Sequence, residues 1–227
     1  MLLDLLRSSP LAFALLAGIL LYSLALHELG HAWVADKMGD KTARNLGRIT
    51  LNPLKHLDPI GTLLIMVAGF GWAKPVPIQP AQFRNYRQGM FWVSIAGVLV
   101  NAAIAVLVLL VLAQLGLRQT DGQLRVLPGS SASRLVADSN GQALLNALLF
   151  AVRINLLLVV FNLLPIPPLD GSKILQAFAP AAWQAAFWQA QRYGFLLVIV
   201  VISLFSSQVF GMIDQLMALL MALILAG

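Results

Sequence analysis

The chain has 227 residues, of which 59% are hydrophobic and only 11% charged, with a mean hydropathy of +0.84; this balance excludes an ordinary soluble domain and predicts an integral membrane protein. A net charge of +6 invites an anionic partner, yet the basic residues are spread through the loops between apolar runs, so they describe membrane topology and no nucleic-acid partner is expected. Cysteine is absent, which removes disulfides, thiolate metal sites and a cysteine nucleophile.

The first apolar run follows Arg7 and continues through "HELGHAWVA" with no A-x-A-like cleavage site, so residues 10–35 read as a retained transmembrane helix rather than a signal peptide. A polar stretch, 36–59, comes next, in which "GRITLN" is expected to supply a short strand. Residues 60–72 are apolar but number only thirteen, short of the roughly 20 needed to cross a bilayer. They predict a re-entrant segment that runs into "AKPVPIQPAQF", where alternate prolines exclude helix and favour a loop or hairpin packed against protein. Further spans are predicted at 90–115 and about 142–164, separated by a polar loop at 116–141. A broken amphipathic stretch (173–192) leads to residues 193–226, read as one span or as a span plus a shorter helix hinged at "SSQ" (206–208).

The expected architecture is an all-α polytopic helical bundle with about 4–6 membrane segments, one re-entrant segment and a short β-like hairpin. No segment is long and polar enough for a second soluble domain, so residues 1–227 are taken as a single transmembrane domain.

Within the first span, "HELGH" places His27 and His31 at i and i+4. Residues so spaced share one helical face and can reach a single zinc ion, with Glu28 beside them to take a proton from water. That is the residue pattern of a metalloprotease. A glutamate inside a membrane helix is costly and marks function more often than packing, although a mutually hydrogen-bonded patch that glues helices together would use the same residue types.

A third protein ligand is needed, and without cysteine the candidates are His56, Asp and Glu. Asp170 stands out because "NLLPIPPLDG" ends a membrane helix with prolines and frees the backbone at Gly171; as a bare pattern it is equally a helix cap for "GSKILQAF". Topology separates the two readings. His27 and His31 lie late in one span and Asp170 just past the end of another, so a common depth requires an odd number of crossings between them. The condition holds if 60–72 dips in and out and 90–115 is the single crossing.

Charge supplies an independent check. On this topology the segments 36–59, 73–89 and 165–192 share one side and carry ten basic residues, Lys37 to Arg192, against Arg7, Arg118, Arg125 and Arg134 opposite. The positive-inside rule then puts the site near the cytoplasmic face of a multi-pass protein of the cell membrane.

Together, "HELGHAW", "HLDPIGTLL", "GFGWAKPVPIQP", "AGVLVN" and "NLLPIPPLDG", in this order and spacing, resemble the site-2 protease family of intramembrane zinc metalloproteases, peptidase family M50, in its small form without PDZ or CBS domains. The resemblance covers about residues 15–180, and the family pattern NxxPxPxxDG falls on Asn162, Pro165, Pro167, Asp170 and Gly171. It implies one Zn2+ per chain held by His27, His31 and Asp170, with Glu28 as catalytic base, and transmembrane proteins as substrates within the lipid bilayer. One departure is visible: many relatives carry proline where this chain has Val98.

Other intramembrane polar residues are candidates for binding substrate or orienting the site. Asn155 and Asn162 share a helical face leading toward Asp170, and Asn101 in the neighbouring span can join them; interhelical hydrogen bonding is the plain alternative. Arg153, inside a span, is expected to find an internal carbonyl or carboxylate partner, and His56 a local hydrogen bond. A helical substrate must unwind to be cut, and Val76 and Ile78 in "WAKPVPIQ" are expected to hold it by strand addition. Other classes stay open: a silent scaffold of the same fold, a haem protein, which histidines four apart on one helix suit poorly, and a metal transporter, whose ligands would be spread along a path.

Overall fold

A computed structural model describes residues 6–68, 71–120 and 122–226. Four helices among them are long and apolar enough to cross a membrane: α1 (Pro10–Met38), α3 (Tyr86–Leu115), α4 (Ser139–Leu163) and α7 (Gly194–Ile224). The protein is a multi-pass helical membrane protein. Each span has readable ends. Ser9 caps α1 by accepting from the Ala12 amide, with Pro10 as first helical residue, and Gly39 (φ 118°) ends it; Asn85 and Asp138 cap α3 and α4, and Gly116 (φ 97°) ends α3. At 1.5 Å per residue these helices run about 37–47 Å, enough to cross with tilt.

Between α1 and α3 the chain does not cross. Helix α2 (Pro59–Ala68) is only ten residues long, about 15 Å, and the chain returns at once: Leu57 and Ala73 form an antiparallel bridge, and the Lys74 amide donates to the His56 carbonyl at 2.8 Å. Gly61 is required in this reversal, because a Cβ there would strike the Trp72 carbonyl oxygen. The re-entrant expectation therefore holds, and residues 73–79 form no helix, with Ala73 and Val76 buried while Lys74, Pro75 and Gln79 are exposed. Residues 69–70 ("GF"), within the stretch expected to be re-entrant, lie outside the described residues.

Two expectations are corrected in detail, and the choice left open for the C-terminal stretch is decided in favour of one span. "GRITLN" is a bent loop, not a strand. The two-stranded hairpin is built instead from β1 (Leu117–Thr120) and β2 (Gln123–Val126), within what was read as a polar loop, followed by a short helix Ser131–Val136. Helix α7 bends at Phe205 (φ −123°, ψ 18°), one residue before "SSQ", and otherwise continues as one span. Ser203 Oγ donates to Ile199 O just ahead of the bend, a serine-to-carbonyl bond of the kind that accompanies helix bending. Helices α5 (Asp170–Phe178) and α6 (Gln184–Arg192) connect α4 to α7.

The bundle packs tightly at two levels. A cluster of Ala105, Leu109, Leu112, Val152, Leu156 and Ile213 joins α3, α4 and α7 toward the hairpin end. Nearer the other end, α1 meets α3 through small residues: Ala35 is fully buried with Met90 and Val93, and a Cβ on Gly30 would lie 2.9 Å from Val100 Cγ2, while Ala32 packs on Ala43 and Val76. In lipid, small side chains let helix backbones approach and gain packing where no hydrophobic driving force separates helix from solvent.

Candidate metal centre

Helices α1 and α3 run antiparallel in a register of four residues. Ser23, His27 and His31 on α1 face Asn101, Gly97 and Val93 on α3, so each turn of one helix is answered by a turn of the other. At the first pair the Asn101 amide donates to the Ser23 carbonyl at 3.3 Å. At the second, a Cβ on Gly97 would sit 2.5–2.7 Å from the His27 ring, so only glycine leaves room for the imidazole. At the third, His31 Nδ1 donates to the Val93 carbonyl at 2.6 Å.

Both imidazoles are thereby given the same tautomer. His27 Nδ1 lies 2.6 Å from Asn101 Oδ1, which, like the Val93 carbonyl, can only accept. The protons sit on Nδ1 and leave both Nε2 lone pairs bare. Those nitrogens are 3.0 Å apart, and both meet Asp170 Oδ2, at 3.1 Å from His27 and 3.0 Å from His31. All three residues are buried.

Asp170 reaches this point because the helix α4 is stopped by Pro165 and the chain doubles back into α5, of which Asp170 is the first residue. Gly171 permits the reversal, since its Cβ would collide with the carbonyl oxygens of Leu163 and Leu164. The two carboxylate oxygens have separate partners: Oδ2 faces the histidines and Oδ1 accepts from Lys173 Nζ at 2.9 Å.

The donor set fits zinc. Two neutral imidazole nitrogens and one carboxylate oxygen converge at separations of 3.0–3.1 Å, close to the roughly 3.3 Å between neighbouring ligands that bonds of about 2.0–2.1 Å impose on a tetrahedron. Three protein ligands leave a fourth position open. Among the described residues this is the one His/Cys/Asp/Glu group able to hold a metal.

Glu28 is half-buried, and its Oε2 accepts the Val76 amide at 2.8 Å. Val76 and Ile78 line a groove of about 880 Å³ with Phe83, Met90, Val93 and Lys173. Two of those residues touch the histidine–aspartate group directly, since Val93 bonds His31 and Lys173 bonds Asp170. Asn101 and Asn155 join beneath the group: Asn101 Nδ2 donates to Asn155 Oδ1 at 2.8 Å, and Asn155 Nδ2 to Ser23 Oγ at 3.0 Å. Asn162 is turned elsewhere, donating to Leu158 O of its own helix. His56 is fully buried in the 46–58 loop against Thr50 O and is not a member of the group. Arg153 pairs with Asp214 of α7 at 3.0 Å.

Gly97, Lys173, Ser23 and the Val93 carbonyl are missed by motif reading. The i, i+4 spacing of 93, 97 and 101 opposite 23, 27 and 31 carries the signal for three of them, and Lys173 lies one turn beyond Asp170.

Comparison with known proteins agrees with this geometry. A family model described as "Peptidase family M50" matches residues 15–206. The chain is 41% identical over 181 residues to "Putative zinc metalloprotease YwhC" of Bacillus subtilis, covering 80% of this chain and 76% of that protein. It is 31% identical over 195 residues to "Putative zinc metalloprotease Rip2" of Mycolicibacterium smegmatis (84% and 67%), and 26% identical over 189 residues to "Zinc metalloprotease MJ0392" of Methanocaldococcus jannaschii (83% and 38%). No solved structure matches it significantly.

Proposed function

Because the chain belongs to peptidase family M50 and is a zinc metalloprotease of the membrane, we propose that it cleaves peptide bonds in or near transmembrane segments of other membrane proteins, as a single domain spanning residues 1–227. The observation that carries this reading is the convergence of His27, His31 and Asp170 inside a bundle of membrane-length helices.

In this reading the two Nε2 atoms and Asp170 Oδ2 hold one zinc ion, which when bound supplies the Lewis acidity that activates water and polarises a carbonyl. Glu28 accepts a proton from the attacking water and passes it to the leaving amine. The Val76 amide occupies Oε2 and leaves Oε1 for that transfer. Asn101, backed by Asn155 and Ser23, fixes the His27 ring.

The groove beside Val76 and Ile78 receives the substrate as an extended strand. The Val76 N–H is already committed to Glu28, so strand addition there draws on the remaining main-chain groups of 76–78. Asn162, whose side-chain amide donates to Leu158 O, would have to turn from its own helix to contact substrate, and that role rests on the family pattern alone. Ten basic residues at the metal end of the bundle support a site near the cytoplasmic face.

The test pairs metal analysis with cleavage of a generic transmembrane peptide in detergent. Wild type should hold one zinc and cut; Asp170→Ala should lose zinc and cleavage together; Glu28→Gln should keep zinc and lose cleavage. Cleavage by metal-free protein would overturn the mechanism, and zinc binding without any cleavage would favour the scaffold reading.

A further inference from the structure

Arg48 is 6% exposed, although it belongs to a loop rich in solvated basic residues. Its neighbours Lys41 and Arg44 point to the surface and pair with Asp36. Arg48 turns inward: Nη2 donates to Lys74 O at 2.7 Å and Nη1 to Pro75 O at 3.2 Å. A buried guanidinium is costly unless its hydrogen bonds are met; both Nη atoms are paired here while Nε has no partner among the described residues, and two successive carbonyls suit a planar two-pronged donor better than a single ammonium.

The residue that follows those two carbonyls is Val76, whose amide donates to Glu28 Oε2 at 2.8 Å. The segment is tied at its other end as well, by Lys74 N to His56 O at 2.8 Å, and Pro75 and Pro77 restrict its dihedrals. We infer that Arg48 is a positioning residue for the catalytic carboxylate: it clamps residues 74–75 so that the Val76 N–H stays aimed at Glu28. The inference rests on the reading of Glu28 as general base. Arg48 spends both Nη atoms on the backbone of the re-entrant return, and its charge also lies near enough to attract Glu28; the hydrogen-exchange readout at Val76 reports the backbone effect separately from the charge.

The experiment uses the full zinc-loaded chain in detergent with Arg48→Met and Arg48→Lys, read by hydrogen exchange over residues 73–79, zinc content, and kcat and KM on a transmembrane peptide. Arg48→Met should exchange the Val76 amide at least about 10-fold faster and lose roughly 10- to 100-fold in kcat, with zinc content within about twofold of wild type and any rise in KM accompanying the fall in kcat, since 76–78 also line the substrate groove; Arg48→Lys should recover part of the loss. Unchanged Val76 exchange, or a raised KM with kcat intact, overturns the inference. If Arg48→Met does not fold, the α-hydroxy analogue of valine at position 76, which deletes the N–H and weakens the Pro75 carbonyl that Arg48 Nη1 grips, must lower kcat; an unchanged kcat overturns the inference. Glu28→Gln separates the two claims. Wild-type cleavage by Glu28→Gln removes the general-base reading, whereas loss of cleavage there beside an unaffected Arg48→Met removes the role of Arg48 alone.

Discussion

The carboxamide oxygen of Asn101 lies 2.6 Å from Nδ1 of His27, and the two residues are 74 positions apart in the chain. This contact selects which imidazole nitrogen is free. Asn101→Ala should lower zinc affinity about 10- to 100-fold, as is usual when a partner behind a metal-bound histidine is removed. Asn101→Asp keeps an acceptor and should lose less. Chelator competition on purified protein measures both, and equal affinity in wild type and Asn101→Ala would sink the assignment.

Gly97 lies under the His27 ring with no space for a methyl group. Gly97→Ala should push the imidazole or the α1–α3 contact apart, at a cost of about 1–3 kcal/mol in stability, and reduce zinc occupancy. Thermal unfolding in detergent with and without zinc checks it. Gly18, which has open space around its Cβ position on the same helix as His27, is the control: Gly18→Ala should leave zinc occupancy unchanged.

Lys173 holds the Asp170 oxygen that faces away from the histidines. With that oxygen tied, Asp170 would offer a bound metal a single donor atom. Lys173→Met should weaken zinc binding by roughly 1.5–3 kcal/mol, the scale of a charge-assisted hydrogen bond. Cobalt substitution gives a second readout, because a carboxylate freed to bind through both oxygens would change the visible absorption of the metal. An identical spectrum with identical affinity would show that Lys173 has no hold on the ligand.

Arg153 and Asp214 pair on the outer surface of the bundle, where α4 and α7 run through the apolar layer. Removing one partner leaves a lone charge in a span, a cost of about 3 kcal/mol on insertion scales. Arg153→Leu should therefore destabilise the protein in bilayers more than the double change Arg153→Leu/Asp214→Leu. Unfolding measurements that rank the single variant as the more stable would contradict a paired role.

The histidines and Asp170 are readable from sequence because each sits on a strong local signal: a four-residue spacing for the former, and a proline-stopped helix followed by Asp-Gly for the latter. Crossing parity then brings them together without coordinates. What surrounds them depends on how α1 and α3 slide past each other, which neither helix encodes alone. Gly97 is one glycine among 17 until its register opposite His27 is known. The hairpin is a different case. Its strands LRQT and QLRV are short and polar, but they flank the dipeptide Asp121-Gly122, a strong short-range turn signal that the expectation of a plain loop passed over. "GRITLN", in contrast, has strand-like residues and no partner strand, and Arg48 within it is drawn inward by two carbonyls.

The shallow turn of α2, with Gly61 pressed on Trp72 and Ala73 bridged to Leu57, decides which leaflet every later residue occupies. Lengthening that turn until it pierced the far surface would invert the remainder of the protein, exchanging inside for outside along α3, α4 and α7. Each element could fold as before, yet the aspartate would arrive on the wrong side of the bilayer, so ten modest residues that never reach the far water act as the orientation key of the whole molecule.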